Sequence, residues 1–591
     1  MKNISVIEVD DTKNISRLTT ESDGPALVLD ISNNFCEGQE VTLAAIKRLL
    51  TETVITDSEA VHRVVLISSS VDRQAVVRRS SLEALQREFS MRMLAVDSTI
   101  QIAEESTDNP SEVLAVRTAM GESCEGDLNV LASSSQTILL FEPLRSTVPK
   151  ASLETAHLFY DIPLHRGRRE RNLAAFAKGP LPIQVERNQR LLRKAWRIAS
   201  EKVWGELPED LMHIFRVGDE EERQKESYLP VGMRGTYEGS AGWFALPHIS
   251  ADRFPGRLIN APYGSTMWTG SVSHGFQQLL SCPEVFHHGR KKIVCTEQDF
   301  SAIKHVAQNF VEMAKHFGSG LDCETIASTD SGFFNAEHFI GSLQKDDVAI
   351  AILPHVGFKN GERIEDATLK KIASIARDRG IIFAIDGAHA LGDQRIDVND
   401  LDPDVYFSTL MKEGSGSAGS AFMYVRPDID LHPRLTSWLS HADAFAHKEK
   451  FSYHADRRQR FYGGTPSIAT YYQCIEGARI MIEVGLENVE VDTKRKVEAA
   501  LSALTARGLE ILSPLEENAR SALIVIKTAN PHDIEKRLFE EFGIRVYGNV
   551  ISTNGVERGI IRISPHLCCT LQETIEACEA IADVIQSYHS A

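Results

Sequence analysis

The stretch 381–416 reads IIFAIDGAHALGDQRIDVNDLDPDVYFSTLMKEGSG. It opens as a short apolar run, meets a carboxylate at Asp386, and passes into small residues and His389. A second apolar run, VYFSTLM (405–411), stops at Lys412 and is followed by Gly and Ser. Short apolar runs closed by turn residues read as buried strands. In parallel α/β sheets, ligands bind beyond the carboxyl ends of the strands. Asp386 and Lys412 both stand at such ends. A carboxylate there holds a cation, a protonated ring nitrogen or a metal. No second Asp, Glu or His lies nearby at ligand spacing, so no metal is expected.

The neighbouring sequence repeats the pattern. RKKIVCTE (290–297), VAIAILPHV (348–356) and SAFMYVRP (420–427) read as further strands. FSAIKHVAQNFVEMAKHFG (300–318) and EDATLKKIASIARDRG (365–380) read as helices between them, the second stopped by its RDRG. Helices alternating with apolar strands predict a largely parallel, buried sheet. A long helical stretch near 470–510 leads to LIVIKTA, IRVYGN and IIRISP, a smaller α/β lobe. Upstream, PALVLDIS (25–32) and RVVLISSS (63–70) mark another α/β unit. The expected domains are 1–155, 165–430 and 431–591, the last made of a helical linker and a small domain.

Bulk properties narrow the function. The 591 residues suffice for about three folding units at roughly 100–200 residues each. With 42% hydrophobic and 25% charged residues, the chain is globular in composition. A formal charge of −18 argues against wrapping nucleic acid or an anionic membrane. The basic HRGRRERN (165–172) reads as a solvated linker. No apolar run approaches the ~20 residues that span a bilayer. Neither a signal core nor a transit-like stretch opens the sequence, and the nine scattered cysteines form no CxxC pair. A cytoplasmic protein with reduced thiols is expected.

A lysine withdrawn from water loses proton affinity and becomes a nucleophilic amine, as a Schiff base requires. An Asp facing a pyridinium nitrogen beside such a Lys is the arrangement pyridoxal 5'-phosphate needs. At this point 170–591 resembles the class V aminotransferase superfamily of fold-type I enzymes. That superfamily includes cysteine desulfurases, kynureninases and isopenicillin N epimerase-like lyases. IDGAHALG is similar to its D-x-A-H/Q turn, and STLMKEGSGSAG to its lysine motif. The resemblance implies that Asp386 partners the pyridine nitrogen, that His389 contacts the phenolic side of the ring, and that Lys412 forms the Schiff base and later moves the α-proton. APYGSTMW (261–268) resembles the G-x-T turn that opens a helix, so Gly264, Ser265 and Thr266 would bind the phosphate. Phe300 would stack on the ring and Thr409 would add a phosphate contact. YGGTPSIA (462–469) resembles the G-T-P segment, so Thr465 would reach the phosphate of the other subunit of a homodimer. IIRISPHLCCT (560–570) resembles the R-i-S segment, making Arg562 the clamp for a substrate carboxylate. NLAAFAKGPLPIQV (172–185) resembles an entry segment that lines the substrate site.

Departures are informative. A desulfurase needs a persulfide-forming cysteine on a loop well after the lysine, and none lies between Cys474 and Cys568. Phe358 stands where desulfurases place Asn, as in kynureninase-like chains. Met411 replaces the His that usually precedes the lysine. The expectation is a lyase acting on an amino acid and cleaving C–S or C–C at the β-carbon. An aminotransferase, an epimerase or a non-catalytic partner-binding subunit remain the alternatives. Residues 24–150 resemble a degenerate crotonase-like domain. Gly121 and Gly126 match family glycines, but Glu125 and Asp127 place acids where an oxyanion would develop. That implies docking or dimerisation rather than CoA-dependent chemistry.

Overall fold

The computed structural model describes residues 250–589 except 447, and short pieces at 153, 156, 164–165, 168–174 and 247–248. For the strands between 4 and 143 it describes the backbone alone. The chain divides into two compact units, 1–155 with 186–194, and 156–185 with 195–591. In the first, six strands lie in the order Ile4–Val9, Lys13–Thr20, Gly24–Asp30, Arg63–Ser68, Thr137–Pro143, Met91–Val96. Among the described residues of that six-stranded sheet, Gly24–Asp30 and Arg63–Ser68, the PALVLDIS and RVVLISSS segments, form the one parallel pair, and a separate short pair, Val76–Arg78 with Gln101–Ala103, is also parallel. The crotonase-like positions Gly121, Glu125, Gly126 and Asp127 fall outside the described residues.

The second unit is built on a seven-stranded sheet. Its strands are β1 (Thr266–Gly270), β2 (Lys292–Thr296), β3 (Asp322–Ile326), β4 (Val348–Pro354), β5 (Ile382–Asp386), β6 (Val405–Thr409) and β7 (Ala421–Val425). Their spatial order is β1-β7-β6-β5-β4-β2-β3. All neighbours are parallel except those of β7, which runs antiparallel to both β6 and β1. Every residue of β4, β6 and β7 is buried. That burial explains their unbroken apolar runs, since a sheet covered on both faces has no solvent side to mark by alternation.

The covering helices follow from their spacing. Helix α2 (Ser301–His316) buries Ile303, Ala307, Val311 and Ala314, one stripe at helical period. Helix α4 (Asp366–Asp378) buries Leu369, Ile372, Ala373 and Ala376. It ends as RDRG predicts: Gly380 takes φ +63°, its N–H donates to Arg377 O, and Ile381 N–H donates to Ala376 O. Those two bonds cap the last carbonyls in a Schellman motif. Helix α1 (Val272–Leu280) packs after β1, and α3 (Ala336–Leu343) precedes β4.

The expected long helical stretch is two helices, α5 (Ile468–Val484) and α6 (Leu486–Ala506). They break at Gly485, whose φ of +90° no helix accommodates. The small lobe is an antiparallel sheet of β8 (Ile524–Lys527), β10 (Val556–Ile563) and β9 (Tyr547–Thr553), in that order. Helices α7 (Pro531–Phe542) and α8 (Leu571–His589) pack with it. Part of the basic stretch joins this lobe: Arg171–Asn172 pairs with Ile544–Arg545, and Glu170 binds Arg545 at 2.8 Å. Residues 175–185 of the expected entry segment lie outside the described residues. Among the described residues, no helix is long and apolar enough to cross a membrane.

Candidate active site

The turn after β5 is held from three sides. His355 N–H donates to Asp386 O (2.8 Å), Gly387 N–H to Phe407 O (2.7 Å), and Ser408 Oγ to Gly387 O (3.0 Å). Only glycine fits at 387, because a Cβ would stand 1.9 Å from the Tyr406 hydroxyl. That hydroxyl in turn lies 3.0 Å from His355 Nδ1. Asp386 is thereby fixed at the strand end, buried, with Oδ1 accepting from Ala388 N–H at 3.0 Å. Burial raises its pKa above the usual carboxylate value, opposed by the Ala388 hydrogen bond and by Lys412.

The lysine loop is equally constrained. Gly416 N–H returns to Leu410 O (2.7 Å) and Ser415 N–H to Lys412 O (3.1 Å). Helix α5 presses on the loop through Gly477, where a Cβ would fall 1.9 Å from Gly414 O. Lys412 Nζ lies 2.6 Å from His389 Nε2. Burial, reinforced by the Arg562 charge and opposed by Asp386, lowers the lysine pKa to about 7. Burial also holds the His389 pKa well below its ordinary value, with Lys412 and Arg562 adding to the effect. A neutral imidazole therefore faces an amine that sheds its proton near neutrality.

Arg562 approaches from β10. Its side chain is fully buried, and Nη2 lies 3.4 Å from His389 Nε2. The guanidinium sits 4.4 Å above the Phe358 ring and 5.6 Å from Tyr547. Nε and Nη1 have no hydrogen-bond partner. Buried donors left unpaired cost about 1–3 kcal/mol each, more on a charged group. They are therefore placed for an anionic ligand. Phe300, at the N-cap of α2 and 41% exposed, lies 4.9 Å from Phe358, whose ring is 6.0 Å from His389.

Asp386, His389, Lys412, Arg562, Phe358 and Phe300 thus form one contiguous group. Thr409 ends β6 at the same edge, its Oγ1 accepting from Met411 N–H at 3.2 Å. Thr465 is exposed in the loop before α5.

Gly264, Ser265 and Thr266 do not open a helix. They lead into β1, and Gly264 N–H is taken up by Asp252 Oδ1 (3.0 Å) and Ser265 Oγ by Pro262 O. The register places Thr266 opposite Tyr424, in the row of Tyr406, whereas Gly270 lies opposite Ala421, in the row of Thr409. The triplet therefore stands about 10 Å of strand away from the carboxyl edge, at roughly 3.3 Å per residue. The helix-opening turn is Gly270–Ser271, six residues on. Gly270 has φ +74°, and Ser271 Oγ caps α1 by accepting from His274 N–H at 3.0 Å.

Sequence reasoning also passed over Glu413, buried next to the lysine, and over Tyr406 and Tyr547. Glu413 had a signal, an acid inside an otherwise small-residue turn. The two tyrosines had none, because their roles come from strand register.

The model of the class V aminotransferases matches residues 256–575. An uncharacterized aminotransferase of Bacillus subtilis (strain 168), YcbU, is 25% identical over 328 residues, 55% of this chain and 80% of that protein. A kynureninase of Shouchella clausii is 25% identical over 360 residues, 58% of this chain and 78% of the relative. Among solved structures, a cysteine desulfurase from Thermococcus onnurineus NA1 superposes with TM-score 0.51 at 19% identity, over 62% of this chain and 91% of that one. The chain belongs to the class V aminotransferase family, and it is a pyridoxal 5'-phosphate-dependent enzyme with the fold-type I architecture.

The residues present fit that cofactor. A low-pKa buried amine, a buried carboxylate and a helix N-terminus stand at one sheet edge, beside an arginine with unused donors. Among the described residues no group of His, Cys, Asp and Glu is arranged to hold a metal.

Proposed function

We propose that this enzyme is a lyase that cleaves a C–S or C–C bond at the β-carbon of an amino acid, working as a homodimer. The observation that carries an amino-acid substrate is Arg562, buried, with Nε and Nη1 unpaired and within 3.4 Å of the His389–Lys412 pair through Nη2. A carboxylate on that fork brings the adjacent Cα to the lysine. The kynureninase relatives support cleavage. The cysteines argue against one kind of C–S cleavage, that of a persulfide-carrying desulfurase: of the seven described, six are buried and Cys323 is half-buried.

In this reading Lys412 holds the cofactor and Asp386 faces its ring nitrogen. His389 and Phe300 contact its ring, and Thr409 and the Gly270–Ser271 turn bind its phosphate. Thr465 completes the phosphate site of the partner subunit. When bound, the cofactor supplies an electron sink for negative charge at Cα. Lys412 Nζ, which sheds its proton near pH 7, takes the α-proton, and His389 Nε2 at 2.6 Å keeps the amine aimed and receives its hydrogen bond. Phe358 shields Arg562 from water on one face. The N-terminal unit serves docking or dimerisation.

The test is product analysis. Purified protein is incubated with kynurenine, cysteine, cysteine conjugates and alanine, and pyruvate, sulfide, alanine and ketoacids are measured. Cleavage products without an added amino acceptor are expected. Turnover only in the presence of a ketoacid would make it an aminotransferase, and racemised substrate alone an epimerase.

A further inference from the structure

The three segments that carry the site meet at a buried junction. Glu413, which follows Lys412, is buried, and its Oε1 accepts from Ser564 Oγ, two residues beyond Arg562. Its Oε2 faces His566 Nδ1 at 3.6 Å. His566 is fully buried, with Nε2 2.8 Å from Gly392 O. A carbonyl only accepts, so Nε2 carries the hydrogen and Nδ1 is left turned toward Glu413. Gly392 belongs to the turn of Asp386 and His389. A Cβ there would lie 2.8 Å from Glu413 Cβ and 3.4 Å from His566 Nε2, so the three segments are already in contact. Lys496 of α6 backs the junction by donating to His566 O at 3.2 Å.

We propose that Glu413 and His566 are positioning residues: the Ser564–Glu413–His566–Gly392 junction sets where Lys412, His389 and Arg562 stand relative to one another during the reaction. This rests on the site roles given above. A carboxylate buried beside another buried acid is costly unless its geometry is fixed. Asp393, next to Gly392, is pushed up to about 7 by burial, with Glu413 adding to it. The junction's members Glu413, Ser564 and Gly392 stand one residue from the lysine, two from the arginine and three from His389, where misplacement by about 1 Å costs on the order of a hundredfold in rate. The groups facing Lys412 are Asp386, His389, Arg562 and Glu413, and Glu413 supports the proton affinity of the amine.

The experiment compares wild type, Glu413→Gln, Ser564→Ala and the double variant, each loaded with pyridoxal 5'-phosphate and also cofactor-free. Three readouts are taken: visible absorption against pH, kcat and KM separately, and melting of the cofactor-free proteins. All are expected to bind cofactor and to be fixed on Lys412 by borohydride. Glu413→Gln is expected to move the midpoint of the visible band down by about one pH unit. Glu413→Gln and Ser564→Ala are each expected to lower kcat by about tenfold with a smaller change in KM. The melting losses of the cofactor-free proteins are expected to be less than additive in the double variant. A Glu413→Gln protein with the wild-type midpoint and kcat overturns the junction and leaves the site reading standing. Borohydride attachment to a residue other than Lys412 in wild type overturns both. If Glu413→Gln does not fold, Ser564→Ala decides alone, since it removes one hydroxyl: a lowered kcat at wild-type cofactor binding supports the junction, and an unchanged kcat overturns it.

Discussion

At the scale of single residues, the environment of Lys412 makes two predictions. Its pKa falls from 10.5 to about 7 in the fold, so between those values the unfolded chain binds more protons. Stability of the cofactor-free protein should therefore carry a penalty at and below pH 7 that is relieved as pH rises toward 10. Melting curves from pH 7 to 9 should rise for wild type and be flatter for Lys412→Met. Lys412→Ala should also abolish the borohydride-stable visible species while leaving the far-ultraviolet spectrum unchanged. Arg562→Leu should cost about a hundredfold or more in kcat/KM, as expected for losing a buried charged fork. Arg562→Lys should not restore it, because an ammonium does not reproduce the planar fork. Asp386 and Lys412 stood out in the sequence because each closes an apolar run that reads as a buried strand, whereas the role given to His389 came from the resemblance. Arg562 was legible through its resemblance alone; nothing in IIRISP distinguishes a clamp from a strand residue.

At the scale of elements, Gly477 holds the site in shape. Gly477→Ala would drive a methyl into Gly414 O and push α5 from the lysine loop. The expected loss is about 1–3 kcal/mol by denaturant unfolding, as for overpacking elsewhere. Cofactor affinity should weaken with it, since the loop that α5 presses on carries Lys412. The difference between the expected helix-opening turn and the observed one has its cause at this scale too. Gly264-Ser265 and Gly270-Ser271 are chemically alike, and both glycines take positive φ. What separates them is that one precedes β1 and the other follows it, and only the pairing of β1 with β7 decides which end lies beside Thr409. A one-dimensional reading sees composition and period. It does not see register between strands from distant parts of the chain.

At the scale of the whole molecule, the proposed reach of Thr465, which is exposed, into a partner's site can be tested by complementation. Thr465→Glu should repel a partner's cofactor phosphate, and Lys412→Ala should disable its own site. Mixing the two inactive proteins should restore about a quarter of wild-type activity, because random exchange in a two-fold dimer leaves one intact site in half of the dimers. No recovery, with subunit exchange verified, would place Thr465 outside the partner's site. The α/β layering of this unit and its mainly parallel sheet follow directly from alternating apolar runs and amphipathic helices. The tie between 168–174 and the small lobe does not, since a basic stretch gives no sign of the strand it will join.

The sheet order has a consequence for synthesis on the ribosome. Strand β1 pairs within its sheet with β7 alone, so residues 266–270 leave the exit tunnel with no strand to receive them until 421–425 have followed. Throughout that interval the nascent chain presents an apolar edge, and slow non-local pairing of this kind exposes a chain to aggregation. Gly270 and the start of α1 hang on that same strand, so the proposed phosphate turn would take its place only when the sheet closes. A nascent chain stalled before β7 should therefore leave Gly270 and the start of α1 without the strand that anchors them.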